Sequence, residues 1–224
     1  MLAGGLGTRL RSVLGDRPKC LAPVGAEPFL LLQLRHLAAA GISRFVLSLG
    51  HLAPQVVEAL RGVDIGVPVQ TVVEPQPLGT GGGLLLSMAQ AGIDECLVTN
   101  GDTWLDAPLA ALLQPLDLAR GERCRLATLA VADRSRFGGL TLSGSVVTGF
   151  EPAGASGPGL VNAGFYRMHR SAFDGFAPGA ALSLEREVLV PLARAGALHA
   201  ARVDGRFIDI GVPEDYRRFC DAHG

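Results

Sequence analysis

The chain is 224 residues long, 48% hydrophobic and 18% charged, with a formal net charge of -1. That length suits one α/β domain with a sizeable core. The near-neutral charge excludes a protein that holds nucleic acid by bulk electrostatics, so any anion has to be gripped locally. Cys20, Cys96, Cys124 and Cys220 form no C-x-x-C pair and the histidines add no ligand spacing, so reduced thiols and no structural zinc are expected. No signal-peptide pattern opens the chain and no apolar run is long enough to span a bilayer, which makes a cytoplasmic protein without a membrane partner the expectation.

Met1-Leu2-Ala3 lead into a glycine-rich run, Gly4-Gly5-Leu6-Gly7-Thr8-Arg9-Leu10. A doubly wound sheet needs a strand before such a turn, so either this strand is short or residues stand upstream of it. Pro28 to Ala40 then reads as a helix ended by Gly41, Arg44 to Gly50 as a strand, and Pro54 to Arg61 as a helix ended by Gly62. Val67 to Val73 is a strand, Gly83 to Ala91 a third helix, and Glu95 to Asn100 and Arg125 to Val131 are strands. Short strands and Gly/Pro-rich turns fill Phe137 to Gly159, with Ala153 to Gly159 as the expected mobile loop. A strand at Leu160 to Met168 and helices at Leu182 to Ala195 and Pro213 to His223 complete the chain. Strands alternating with helices predict a single α/β domain over 1–224, a Rossmann-like three-layer sandwich with a mainly parallel mixed sheet.

Lys19 is the one lysine beside 19 arginines. A lysine places a compact point charge on a flexible stem where arginine offers a broad planar fork, so Lys19 is the first candidate for meeting one phosphate oxygen. Gly4, Gly5 and Gly7 let backbone N–H groups approach a phosphate closely, and Arg9 adds a charged clamp. The run is not a Walker A loop, since no Lys-Ser or Lys-Thr follows its last glycine. Nor is it a dinucleotide fingerprint, since Leu10 stands where a third glycine or alanine belongs.

The run Leu2 to Leu10 followed by Arg17-Pro18-Lys19, Ala22-Pro23-Val24 and Pro28-Phe29-Leu30 resembles the signature of sugar-phosphate nucleotidyltransferases. The resemblance extends over the whole chain through Pro77-Leu78-Gly79-Thr80-Gly81-Gly82, Asn100-Gly101-Asp102-Thr103, Asn162-Ala163-Gly164-Phe165-Tyr166 and Phe207-Ile208-Asp209-Ile210-Gly211-Val212-Pro213-Glu214-Asp215-Tyr216. The last block is most similar to the D-glycero-α-D-manno-heptose 1-phosphate guanylyltransferases. The resemblance implies the nucleotidyltransferase fold, with a nucleotide half at about 1–105 and a sugar half at about 106–224. It implies GTP and a sugar 1-phosphate as substrates, Mg2+ as cofactor, and GMP transfer with release of pyrophosphate for surface polysaccharide synthesis.

The resemblance also carries residue roles. Arg9, Lys19 and Asp102 would be catalytic, and Leu2, Ala3, Gly4, Gly5, Gly7, Thr8, Arg9, Glu74, Gly79 and Thr80 would hold the nucleotide. Gly138, Asn162, Gly164 and Glu185 would hold the sugar phosphate. Asp102 and Asp209 would ligate the metal, although Asp102 also suits a plain Asn-Gly-Asp turn and Asp209 a helix approach. Glu74 stands at the position that contacts the base. A carboxylate there accepts the two N–H donors on one edge of guanine, where a solvated loop glutamate is the other reading. Where similar enzymes have Glu-Lys, this chain has Glu151-Pro152-Ala153. The missing lysine leaves Arg134, Arg136, Arg167 or Arg202 as substitutes, or Lys19 and metal alone. Cys20, beside Lys19, is expected to favour its thiolate. The rivals are mannose 1-phosphate guanylyltransfer, uridylyltransfer to an N-acetylated sugar 1-phosphate, and a regulator that binds sugar nucleotide without catalysis. Aliphatic helix faces leave a homodimer possible.

Overall fold

The computed structural model describes residues 1–5, 10 and 14–224. A helical turn, Lys19–Leu21, leads into a hairpin of β1 (Pro23–Val24) and β2 (Glu27–Pro28), followed by α1 (Phe29–Ala39). α1 buries Phe29, Leu30, Leu31, Gln33, Leu34 and Leu37, the spacing of one helix face. Gly41, at φ 98°, then turns the chain away. The order continues β3 (Phe45–Leu49), α2 (Ala53–Leu60), β4 (Val69–Val73), α3 (Gly79–Ala91), β5 (Glu95–Thr99), β6 (Thr103–Asp106) and α4 (Ala110–Leu113). Next come β7 (Cys124–Val131), β8 (Gly139–Ser143), β9 (Val146–Glu151) and β10 (Gly159–His169). A π-helical stretch, Leu184–Leu189, runs into α5 (Val190–Arg194), and β11 (Leu198–Arg202), β12 (Arg206–Asp209) and α6 (Pro213–His223) close the chain.

β3 and β4 pair in parallel. Leu2 makes parallel bridges to both Ser48 of β3 and Asn100 after β5. Met1 to Ala3 thus fill a strand's place, with Leu2 N–H on Thr99 O at 2.8 Å and Ala3 N–H on Ser48 O at 2.9 Å. From β5 the sheet continues in the order β5-β10-β7-β11-β9-β8. The sheet is mixed as expected, but its parallel share is smaller than predicted. Beyond β3, β4 and the Leu2 bridges, β7–β11 is the parallel pair, and β5–β10, β10–β7, β11–β9 and β8–β9 are antiparallel. The reason is local: no helix separates β7, β8, β9 and β10, and parallel pairing needs a long crossover.

Both sheet faces are covered. α1 and α2 bring Leu30, Leu34, Leu37 and Val56 against Phe45, Leu47, Leu129 and Phe165. On the other face α3 and the 184–194 helix bring Leu84, Met88, Val188 and Leu189 against Val98, Leu126, Tyr166 and Met168. Neighbours such as Phe165 and Tyr166 enter opposite cores, as strand alternation requires. Each such fully buried side chain contributes about 1.5–3 kcal/mol. A third cluster, Val24, Phe29, Ile210, Tyr216 and Phe219, docks α6. Phe219 stacks edgewise on Phe29 at 5.0 Å and on Trp104 at 5.2 Å, and the Tyr216 hydroxyl donates to Pro23 O.

Two elements depart from expectation. α3 begins at Gly79 rather than Gly83, because its glycines are there for contact rather than for a turn. A Cβ on Gly82 would stand 2.2 Å from Ala180 O, and one on Gly83 would stand 2.3 Å from Glu74 Oε1. The segment 153–159, expected to be mobile, is tethered instead. Gly154 N–H donates to Ser135 O (2.8 Å), Arg134 N–H donates to Gly157 O (3.0 Å), and Gly157 N–H donates to Asp133 Oδ1 (3.1 Å).

Candidate active site

Strands β3, β4 and β5 end together, and their carboxyl ends open into a cleft of about 680 Å3. It is lined by Leu2, Ala3, Gly4, Gly5, Gly50, His51, Glu74, Gly79 and Thr80 on one side and by Lys19, Asn100 and Asp102 on the other. Open α/β sheets place ligands at such an end. Gly4 is pressed on the neighbouring strand end, since a Cβ there would lie 3.0 Å from Gly50 N. Gly7, Thr8 and Arg9 lie outside the described residues.

Cys20 and Leu21 are buried and anchor the 19–21 turn. Lys19 stays at the surface of the cleft, where Nζ donates to Asp102 Oδ2 at 2.5 Å, with the two side chains 19% and 22% exposed. Asp102 sits in the turn joining β5 to β6. A residue overlooked in the sequence holds that turn: buried Gln33 of α1 donates through Nε2 to Asn100 O (3.0 Å) and Thr103 O (2.6 Å). The available signal was a carboxamide interrupting the apolar face of α1.

Asp209 reaches the same place from the far end of the sequence. β12 pairs with β6 so that Asp209 faces Thr103, and Ile210 N–H donates to Asp102 O at 2.9 Å. Asp209 Oδ1 accepts from Gly211 N–H at 2.7 Å. A Cβ on Gly211 would lie 2.6 Å from Asp209 Oδ1 and 3.0 Å from Lys19 Nζ, so the ammonium and both carboxylates surround one point. Two hard carboxylates fit a magnesium-type ion that takes its remaining ligands from phosphate and water. Among the described residues, no group of three or more His, Cys, Asp or Glu is placed to hold a metal alone.

Glu74 is half-buried, not solvated. Its Oε2 accepts the Leu78 N–H at 2.9 Å, so one oxygen already orients the turn into α3. Thr80 Oγ1 accepts from Leu184 N–H at 3.0 Å and ties this wall of the cleft to the 184–194 helix.

The four residues expected on the sugar side lie beyond the cleft lining. Asn162 Oδ1 accepts from Gly164 N–H (2.9 Å) and its Nδ2 donates to the Tyr166 hydroxyl (2.8 Å), making an irregularity in β10. Gly164, at φ 72°, brings that irregularity against Asn100 and Thr103, at 3.4 Å from a built Cβ. Tyr166 is pushed well above its ordinary pKa, chiefly by burial, and the charge of Glu185 adds to the shift. Glu185 itself is exposed, in the first turn after Ser183, whose hydroxyl caps Arg186 N–H at 3.3 Å. Gly138, at φ 74°, is pressed on Glu151 O.

Of the candidate arginines, Arg134 is paired with Glu151, Arg167 with Glu95 and Arg136 with Asp215. Arg202 stands at the end of β11. The expectation for Cys20 is overturned: the side chain is 3% exposed, and burial pushes its pKa up to about 12, outweighing the adjacent Lys19.

A model of the nucleotidyl transferase family matches residues 1–222. The chain is 34% identical to the D-glycero-α-D-manno-heptose 1-phosphate guanylyltransferase of Campylobacter jejuni, over 98% of this chain and 96% of that protein. It is 35% identical to the mannose-1-phosphate guanylyltransferase of Mycobacterium tuberculosis, over 97% of this chain but 62% of that protein. Among solved structures, HddC of Yersinia pseudotuberculosis superposes with a TM-score of 0.87 at 29% identity, covering 100% of this chain and 97% of HddC. HddC has also been solved in complex with GMP-PN.

Proposed function

The chain belongs to the nucleotidyl transferase family, and from that premise we propose that it transfers GMP from GTP to D-glycero-α-D-manno-heptose 1-phosphate, giving GDP-heptose and pyrophosphate. One oxygen of the sugar phosphate bonds to the α-phosphorus while the bond from that phosphorus to the bridging β-oxygen breaks in line, and pyrophosphate leaves with the electron pair. An anion attacks an anionic centre, so positioning and positive charge matter more than proton transfer. The observation that carries the reading is the convergence of Lys19, Asp102 and Asp209 at a cleft walled by the Leu2–Gly5 backbone.

Each part has a role in this reading. Backbone N–H groups of the glycine run, with Thr8 and Arg9, hold the triphosphate, and Gly79 and Thr80 close the nucleotide wall. Lys19 passes from Asp102 to an α-phosphate oxygen, meeting charge as it builds. Members of the family generally use a divalent metal; Mg2+ held by Asp102 and Asp209 would supply further positive charge to the phosphates. Glu74 presents an acceptor edge to guanine. Its orientation is set by Leu78 N–H, and each carboxylate oxygen keeps a second lone pair. Gly138, Asn162, Gly164 and Glu185 serve the sugar, in a half spanning about 106–224 that faces a nucleotide half of about 1–105. Heptose is preferred to mannose because the heptose enzyme matches end to end, whereas the mannose enzyme extends well beyond this chain.

Pyrophosphate release tests the reading, with GTP, UTP, CTP, ATP and dTTP crossed against heptose, mannose and N-acetylated sugar 1-phosphates in Mg2+. Selective release with GTP and the heptose phosphate is expected. Release with UTP and an N-acetylated sugar would overturn base and sugar together, and binding of GDP-sugar without release would leave a regulator.

A further inference from the structure

Granting that the second substrate is a sugar 1-phosphate, we propose that Arg136, held by the buried carboxylate of Asp215, grips that phosphate on the Asp209 side of the centre. A sugar 1-phosphate brings two negative charges to a place where Lys19 must also serve the α-phosphate. A second cation there would divide that load, and the chain holds no other lysine.

The geometry separates Arg136 from the other three arginines that the sequence offered in place of the missing lysine. Arg134 is closed on Glu151 and wedged between backbones, since a Cβ on Gly139 would lie 2.6 Å from its Nη1 and one on Gly159 would lie 2.7 Å from its Cδ. Arg167 is paired with Glu95 at 2.5 Å, at the amino end of β5, away from Asp102. Arg202 lies on β11, which is separated from β5 by β7 and β10.

Arg136 is held differently. Asp215 is 6% exposed and takes Nη2 at 2.5 Å and Nη1 at 3.4 Å, while the Arg136 side chain remains 47% exposed. A guanidinium has five N–H donors; two are spent on Asp215 and the rest are held in one orientation. The turn beneath it is fixed, with Phe137 N–H (3.0 Å) and Gly138 N–H (3.1 Å) both donating to Arg134 O. That turn sits on the segment bearing Asp209: the Phe137 ring packs on Phe207 at 5.0 Å, and Phe207 shares a strand face with Asp209. Asp215 itself follows Gly211, the residue beside Lys19 Nζ, by four positions in the chain. The hydrogen bond to Asp215, with the charges of Asp215, Glu214 and Asp209, raises the pKa of Arg136, so the cation persists at every working pH.

Steady-state kinetics with both substrates varied test the assignment. Arg136→Ala is expected to raise KM for the sugar 1-phosphate at least tenfold while KM for GTP stays within twofold. Arg136→Lys should recover part of that loss, because charge returns without the fork. Asp215→Asn, a change in the positioning residue, should move the same KM in the same direction by less. Arg218→Ala, which removes the other partner of Asp215 (3.3 Å), should leave both KM values in place. Equal rises in both KM values, or a loss of melting temperature with unchanged KM values, would overturn the proposal. Wild-type protein that turns over no sugar 1-phosphate refutes the reading beneath it, and that is seen before any variant is made.

Discussion

The two ends of the β3–Leu2–β5 region are built from the same strands and do opposite things. At the carboxyl ends, the cleft of about 680 Å3 is walled by glycine backbone and carries Lys19, Glu74 and Asp102. At the amino ends, a cavity of about 350 Å3 is lined by Leu37, Ile42, Phe45, Leu97 and Leu113, with Arg167 and Glu95 at its edge. In the first, the ammonium and the carboxylates gather around one point. In the second, Arg167 and Glu95 form one pair at 2.5 Å, the same separation as Lys19 and Asp102, but with no second carboxylate beside the cation among the described residues. A cavity alone therefore does not mark chemistry here; what marks it is a cation set beside two carboxylates at a strand end walled by glycine backbone.

The sharpest way to break this contrast is Lys19→Ala. Losing one preorganised contact to transition-state charge costs roughly 3–4 kcal/mol, so kcat should fall by two to three orders of magnitude with folding intact. Retention of more than about a tenth of wild-type kcat, only about 1.4 kcal/mol, would remove Lys19 from the centre. Glu74→Gln comes next. The amide oxygen can still accept from Leu78 N–H, so the turn survives while the charge proposed to meet the base is lost. The GTP-to-UTP preference in kcat/KM is expected to drop by about tenfold; an unchanged ratio would confine Glu74 to holding the turn.

A smaller effect separates the two ends directly. Gln33→Leu takes the buried donor from Thr103 O and leaves Asn100 O with the Thr99 hydroxyl and Thr103 N–H, at a cost of about 1–3 kcal/mol at most, and should loosen Asp102 enough to lower kcat several-fold. Ser87→Ala is its counterpart in the amino-end cavity. The Ser87 hydroxyl is buried without a partner, so its removal should hold or raise Tm and leave kcat alone. A kcat loss from Ser87→Ala matching that from Gln33→Leu would show that the ends are not distinct.

The sequence spoke clearly where periodicity or a strand end carried the information. α6 runs from Pro213 to His223 as read, and the strands ending at Leu49, Val73 and Thr99 lie within the predicted runs. It spoke poorly where contact decides. The third helix was expected to begin at Gly83 but begins at Gly79, where Gly82 and Gly83 admit Ala180 and Glu74 against it. β11 is too short and too mixed in pattern to stand out from its surroundings. Lys19 stood out by unusual composition, and Asp102 and Asp209 by strand-end position within motifs that resemble the family's; the fold brings the three together. Gln33 and the Asp215 partner of Arg136 were not, because each acts through a residue about 70 or more positions away.

Cys20 gives the smallest expected effect and the finest division within the site. It adjoins Lys19 in sequence and borders the same cleft, yet it is buried in the core cluster with Leu21 and Leu30. Its pKa, raised by burial from 9.0 to about 12, makes it a neutral thiol at pH 8 in native protein. Between those two values the unfolded chain gives up a proton that the folded chain keeps. Stability from this group is therefore unaffected below pH 9 and declines as pH rises above it. Cys96 and Cys124 are also raised by burial, so the three act in the same direction. Alkylation at pH 8 should modify half-buried Cys220 first and reach Cys20 only as the protein unfolds, with or without GTP. Rapid labelling of Cys20 in folded protein would mean that the 19–21 turn opens far enough to expose its buried side, and the separation between cleft and core would then fail at its narrowest point.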